Sequence, residues 1–172
     1  MKLTGNTIVI TGGGSGIGRE LALRFHALGN QVIIAGRRVE KLQETIAGRS
    51  NLHALPLDVE DPHGIEAFAD RLLAAYPGLN VLINNAGIMR RENLAARRDL
   101  ADSEETVITN LLGPIRLTNA LIEHLARQPD AAIVNVSSGL AFVPLSHFPT
   151  YSASKAAIHS YSLSLREQLK CK

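Results

Sequence analysis

Thr7-Ile8-Val9-Ile10-Thr11-Gly12-Gly13-Gly14-Ser15-Gly16-Ile17-Gly18 is the stretch on which the fold turns. Its β-branched start reads as a short buried strand and its glycines as a tight turn. Leu21, Leu23, Phe25 and Leu28 then repeat at the spacing of a helix's apolar face. A glycine turn between strand and helix points backbone N–H groups and a helix N-terminus at one spot, and the missing side chains let a phosphate come close. The spacing is G-x-x-x-G-x-G, at Gly12, Gly16 and Gly18, rather than G-x-G-x-x-G; Gly14, Ser15 and Ile17 complete the loop. A loop of purely structural use is the competing reading.

Downstream, Gly29-Asn30 closes the helix and Gln31-Val32-Ile33-Ile34-Ala35 reads as a second buried strand, so the opening is a β-α-β unit of mononucleotide-binding length. About 20 positions beyond the glycines an acidic residue selects a ribose 2′-hydroxyl, whereas arginine favours a 2′-phosphate. Gly36-Arg37-Arg38 occupies that place. The two guanidinium groups suit a phosphate through charge-assisted hydrogen bonds; against this stands the reading of both as solvated surface arginines.

The alternation continues. Val39 to Ala47 reads as a helix and Leu52 to Leu57 as a third strand ending at Asp58-Val59, where Asp58 either accepts from an adenine amino group or caps the next helix. Ile65, Phe68, Ala69, Leu72 and Leu73 mark that helix, and Tyr76-Pro77-Gly78 stops it. Val81-Leu82-Ile83 is a fourth strand running into Asn84-Asn85-Ala86-Gly87; ligands lie at such strand ends in open α/β sheets. Ile88 to Ala101 is polar, arginine-rich and weakly periodic, and reads as a loop with a short helix at the cleft mouth. Asp102-Ser103-Glu104-Glu105 carries capping-box signals for the long helix that follows, and within it Asn110 and Gly113-Pro114 interrupt the apolar pattern, predicting a local irregularity. Asn110 is either a structural hydrogen bonder or a functional group. Ala132-Ile133-Val134-Asn135-Val136 is a fifth strand, delivering Ser137-Ser138-Gly139 to the same edge. Right-handed crossovers arrange five parallel strands as 3-2-1-4-5. No repeat, low-complexity tract or linker divides residues 1–172, which read as a single domain.

Tyr151 and Lys155 stand four residues apart ahead of Ala156, Ala157, Ile158, Leu163 and Leu165, a helical pattern that projects both from one face. A phenol carries protons poorly at neutral pH until a neighbouring positive charge stabilises its phenolate. Taken alone, the pair also fits an ordinary helix surface.

The 172 residues are 45% hydrophobic and 20% charged, with a formal charge of +2, which suits a globular domain with a substantial core. The arginine pairs Arg37-Arg38, Arg90-Arg91 and Arg97-Arg98 are dispersed, so nucleic-acid binding is unsupported. The single cysteine, Cys171, excludes an internal disulfide and makes a reducing compartment, the cytoplasm, the expectation. The early apolar run Ile8 to Ile10 is far too short for a signal sequence or membrane span.

In this order the motifs resemble the short-chain dehydrogenase/reductase family: Thr11-Gly12-x-x-x-Gly16-x-Gly18, Asp58, Asn84-Asn85-Ala86-Gly87, Asn110, Ser138 and Tyr151-x-x-x-Lys155. Leu3-Thr4-Gly5-Asn6-Thr7 and Val32 to Arg38 further resemble the bacterial DltE-type oxidoreductase subgroup. The resemblance implies a Rossmann-type doubly wound parallel sheet with helices on both faces and a nicotinamide cofactor, NADP(H) preferred over NAD given Arg37 and Arg38. The cofactor would lie against Gly12, Gly14, Ser15, Gly16, Ile17, Gly18, Arg37, Arg38, Asp58, Val59, Asn85, Ala86, Gly87, Tyr151 and Lys155. It implies further that Tyr151 exchanges the hydroxyl proton of a carbonyl or secondary-alcohol substrate. Lys155 would support Tyr151 and bind the nicotinamide ribose, Ser138 would bind the substrate oxygen, and Asn110 would hold a water leading from Lys155 to solvent.

Family members ordinarily continue past the tyrosine helix into a sixth strand, a substrate-covering segment and a seventh strand, whereas this sequence stops at Lys170-Cys171-Lys172. Two function classes are therefore expected: an NADP-dependent oxidoreductase, or a non-catalytic dinucleotide-binding or interaction protein derived from one. In related enzymes the helices bearing Asn110 and Tyr151 pair across a two-fold axis. The same homodimer is expected here, with Leu112, Ile115, Ile122, Ile158, Tyr161 and Leu165 as its apolar surface and the fifth strand left as an open sheet edge.

Overall fold

The structure, a computed structural model, describes residues 2–170. Cys171, and with it the expectation drawn from that cysteine, lies outside the described residues. The elements alternate as β1 (Thr7–Thr11), α1 (Gly16–Ala27), β2 (Gln31–Gly36), α2 (Val39–Ile46), β3 (Leu52–Pro56), α3 (Pro62–Ala75) and β4 (Leu79–Asn84). After a long loop come α4 (Ala101–Val107), a π-helical turn (Ile108–Leu112), α5 (Gly113–Leu125), β5 (Ala132–Asn135), a 3-10 turn (Gly139–Ala141) and α6 (Pro149–Leu169). The strands form one parallel sheet in the order 3-2-1-4-5, as expected from right-handed crossovers.

Over β1, β2 and β4 both faces of the sheet are covered, which is why these strands are buried along their length rather than on alternate residues. Ile8, Ile10, Val32, Ile34, Val81 and Ile83 point to the side of α1 and α2, where Ala22 and Leu42 meet them. Val9, Ile33, Ala35 and Leu82 point to the other side, against Phe68 and Leu72 of α3 and Leu117, Leu121 and Leu125 of α5. None of the described helices is long and apolar enough to cross a membrane.

Several local expectations give way to other partners. The loop before α4 holds no helix, and α4 starts at Ala101 with Leu100 at its N-cap, so Asp102 and Ser103 lie inside the first turn. Their side chains are taken elsewhere: Asp102 accepts from Arg98 at 2.6 Å and Ser103 donates to Glu92 at 2.8 Å. Asp58 does not cap α3; its carboxylate accepts from the Glu60 N–H two residues on, and Asp61, ahead of Pro62, caps the helix through the His63 N–H. Ile158 is 1% exposed within its own chain, on the inward side of α6 with Ser154 and Lys155, and so cannot serve as a pairing surface.

The irregularity around Asn110 is the π-helical turn. Pro114 has no N–H to give the Asn110 carbonyl four residues earlier. A Cβ on Gly113 would stand 2.9 Å from the Val59 carbonyl oxygen, so only glycine lets the turn pack against the end of the third strand's loop.

Candidate active site

Where β1, β2 and β4 end, a cleft of about 670 Å³ opens, within the size range of small-molecule and cofactor sites. Gly12, Gly14, Ser15, Gly16 and Ile17 form one part of its lining, Arg37, Arg38, Val59 and Glu60 another, and Asn85, Ala86, Gly87, Tyr151 and Lys155 a third. The cleft thus joins residues from both ends of the sequence.

The glycine loop is shaped by close approach. Gly12 adopts φ +69°, a left-handed conformation that side chains rarely take, and its N–H donates to the Ala35 carbonyl at 2.7 Å. Gly18 does not line the cleft: it sits against the Gly12 carbonyl and the Asn85 amide, in space that a Cβ would occupy. Asn85 secures this arrangement by donating to the Thr11 carbonyl at 2.9 Å, while the Thr11 hydroxyl accepts the N–H groups of Asn85 and Ala86, each at 3.0 Å. Thr11 is therefore a supporting residue that the motif contained without revealing its task. Asn84 turns the other way, donating to Asn135 and Thr118 inside the fold.

No side chain caps the first turn of α1 and no acidic residue stands in it, so its leading N–H groups and dipole face the cleft without a competing carboxylate. Arg38 reaches over to this loop, donating to the Ser15 hydroxyl at 2.7 Å. Arg37 is held differently, by a 2.8 Å ion pair with Glu60, whose same oxygen accepts from the Thr109 hydroxyl at 2.9 Å. Glu60 and Thr109 both line the cleft. Neither stood out in the sequence, although each adjoins a residue that did.

Tyr151 and Lys155 project together from the first turns of α6, with the Lys155 ammonium 5.7 Å from the centre of the Tyr151 ring. Lys155 is only 5% exposed, and burial pushes its ammonium below the usual lysine range. Its Nζ donates to the Val136 carbonyl at 2.8 Å. Gly87 passes so near that a Cβ there would lie 3.5 Å from this nitrogen and 3.2 Å from the Asn110 side-chain oxygen.

Asn110, Ser138 and Asp58 are not among the residues lining the cleft, but each adjoins one that is: Thr109, Ser137 and Val59. The Asn110 amide is fully occupied with the Ile88 backbone and the Ser154 hydroxyl. The two serines differ in what their hydroxyls have left. Ser137, in the lining, donates its hydrogen to the Lys155 carbonyl at 2.9 Å, whereas Ser138 only accepts, from the Leu140 N–H at 3.1 Å, and keeps its own O–H to give.

Residues 6–172 match the family described as short chain dehydrogenase. The chain is 46% identical over 171 residues to the uncharacterized oxidoreductase DltE of Bacillus subtilis (strain 168), covering 99% of this chain and 68% of that one. Among solved structures it is similar to the closed form of a serine dehydrogenase complexed with NADP+, with a TM-score of 0.89, 31% identity and coverage of 95% of this chain and 66% of that one. It is equally similar to a short-chain dehydrogenase/reductase from Burkholderia phymatum in complex with NAD, at a TM-score of 0.89 and 27% identity, covering 98% and 61%. The chain thus spans about two thirds of the length of these relatives. With the parallel sheet, the glycine loop and the Tyr151–Lys155 pair in one cleft, the chain belongs to the short-chain dehydrogenase family.

Proposed function

We propose that this chain binds NADP(H) and carries the proton-transfer machinery for interconverting a carbonyl and a secondary alcohol. The observation that supports it best is that α6 sets Tyr151 and Lys155 into the same cleft that the glycine loop and the two arginines enter. When bound, NADP(H) supplies or accepts the hydride.

The uncapped first turn of α1 and the N–H groups of the glycine loop hold the diphosphate. Arg38 and Ser15, with Arg37 beside them, hold the 2′-phosphate; Val59, Asn85, Ala86 and Gly87 line the nucleoside side, and Asp58 shapes the loop that presents Val59. Lys155 holds the nicotinamide ribose. Tyr151 gives its hydroxyl proton to the carbonyl oxygen in reduction and takes it back in oxidation. Ser138 donates its uncommitted O–H to that oxygen as charge develops on it. The Asn110 side chain is spent, so its carbonyl, deprived of an α-helical donor by Pro114, is the group that holds a water behind Lys155.

The substrate is a small carbonyl or alcohol compound. Residues 1–172 act as one dinucleotide-binding domain in the cytoplasm. The chain pairs with a second copy through α5 and α6, where Leu112, Ile115, Ile122, Tyr161 and Leu165 remain partly accessible. Fluorescence titration with NADPH and NADH, NADPH oxidation over a panel of aldehydes and ketones, and light scattering test these statements together. Tighter NADPH binding with turnover that Tyr151→Phe removes is the expected result. Binding without turnover on any carbonyl would instead make the chain a non-catalytic dinucleotide binder.

A further inference from the structure

Helix α6 has no cap of its own. Its N-cap residue is Phe148, which has no side-chain oxygen, and Pro149 follows at the first helical position. The first free N–H is that of Thr150, the residue immediately before Tyr151. It donates to Glu92 Oε1 at 2.9 Å, and the Thr150 hydroxyl donates to Glu92 Oε2 at 2.7 Å. A carboxylate 58 residues upstream thus caps the helix and grips one residue by both its backbone and its side chain.

Glu92 is built into its place. Its side chain is 2% exposed, in a loop whose start, Ile88 and Met89, lines the cleft. The same carboxylate accepts from the Ser103 hydroxyl of α4 and from Arg98, both at 2.8 Å. Its own N–H donates to the His147 carbonyl at 3.0 Å, just ahead of α6. Arg98 in turn pairs with Asp102. Burying a carboxylate is costly unless it is paired and hydrogen-bonded, and here four donors from three separate segments converge on it. A bare helix cap needs one.

We propose that Glu92 is a positioning residue for the Tyr151 hydroxyl: by clamping Thr150 it fixes the first turn of α6, and hence the ring of the next residue, relative to the cleft. This rests on the reading of Tyr151 as the proton carrier. Misplacing a reacting group by about 1 Å can cost about a hundredfold in rate, so a clamp one residue away bears on chemistry more than on nucleotide affinity.

The chain has three tyrosines, Tyr76, Tyr151 and Tyr161. Labelling them with 13C at Cζ gives three NMR signals, with Tyr151 assigned through Tyr151→Phe. In Glu92→Ala and in Thr150→Val the Tyr151 signal moves while the other two stay. In Glu92→Gln, which keeps an acceptor for Thr150, it returns toward its wild-type position. With NADPH and a reactive ketone, kcat falls about tenfold or more in Glu92→Ala and recovers largely in Glu92→Gln, while KM for NADPH stays within about threefold. A Tyr151 signal unmoved in Glu92→Ala overturns the proposal; should that variant not fold, Thr150→Val decides. Joint movement of all three signals, or no recovery in Glu92→Gln, overturns it equally. A wild type that turns over no carbonyl defeats the enzymatic reading instead, and the Tyr151 signal still reports whether Glu92 sets the ring.

Discussion

Asn110 grips both backbone polar groups of a single residue, Ile88: its Oδ1 accepts the Ile88 N–H and its Nδ2 donates to the Ile88 carbonyl, each at 2.8 Å. This two-point hold fastens the chain leaving β4 to the π-helical turn, at the place where Gly87 passes Lys155. The structural and the functional readings of Asn110 thus concern different parts of one residue, its amide and its carbonyl.

Asn110→Ala leaves the Ile88 N–H and carbonyl without these partners. Partly buried groups left unpaired cost about 1–3 kcal/mol each, so the expected loss for the two is about 2–6 kcal/mol, or a fall in melting temperature on the order of 10 °C for a chain of this size. Calorimetry against wild type checks this; a shift under about 2 °C would show that Ile88 is held by other means.

On the proposed reading, Tyr151→Phe removes a hydroxyl that serves proton transfer and not anchoring. Turnover should drop by at least about a hundredfold with NADPH affinity nearly unchanged, whereas Lys155→Ala should weaken both. Stopped-flow measurements with saturating NADPH separate the two effects. Equal rates in wild type and Tyr151→Phe would assign the proton transfer to another group.

The two arginines should not be equal. Arg37 is already paired with Glu60, whereas among the described residues Arg38 meets the uncharged Ser15 hydroxyl, so on the proposed reading Arg38 would bring the unopposed charge to a 2′-phosphate. Charge-assisted hydrogen bonds contribute about 1.5–3 kcal/mol, so Arg38→Ala should weaken NADPH binding about tenfold or more while sparing NADH. Glu60→Gln, which frees Arg37 and removes a negative charge, should strengthen NADPH binding. Calorimetric titration of the variants with both nucleotides decides it, and an NADH preference in the wild type would falsify the assignment of both arginines.

Glu92 links stability to pH. Burial is the largest single influence and opposes its charge, but the Thr150 hydroxyl and N–H, the Ser103 hydroxyl and Arg98 together outweigh it and hold the carboxyl below its usual 4.5. A carboxyl depressed in the folded state stabilises the fold fully above 4.5, and this contribution disappears as pH falls from there through the folded value. Wild type should therefore exceed Glu92→Gln in urea midpoint at pH 7, and the gap should close with acidification. A gap that stays constant to pH 3 would mean that the charge of Glu92 contributes nothing.

The amino-acid sequence by itself determined the sheet order, the parallel strands, the glycine loop and the pairing of Tyr151 with Lys155. Each rests on a signal that is local or periodic: buried β-branched runs, glycines at fixed offsets, an i,i+4 spacing on a helix. It also announced an irregularity at Asn110, because a proline four residues on cannot supply the helical hydrogen bond. Tertiary structure alone decided which polar side chains distant in the chain meet. Asp102 and Ser103 read as a capping box, but Arg98 and Glu92 claim them, and α4 begins before them, its Ala101 N–H donating to Asp99 Oδ1 at 2.9 Å. The cap of α6 comes from Glu92, and Arg37, half of whose side chain stays exposed, pairs with Glu60. A hydrogen bond between residues far apart in the chain leaves no periodicity in either segment, and becomes visible only when the packing of the apolar faces has brought the two together.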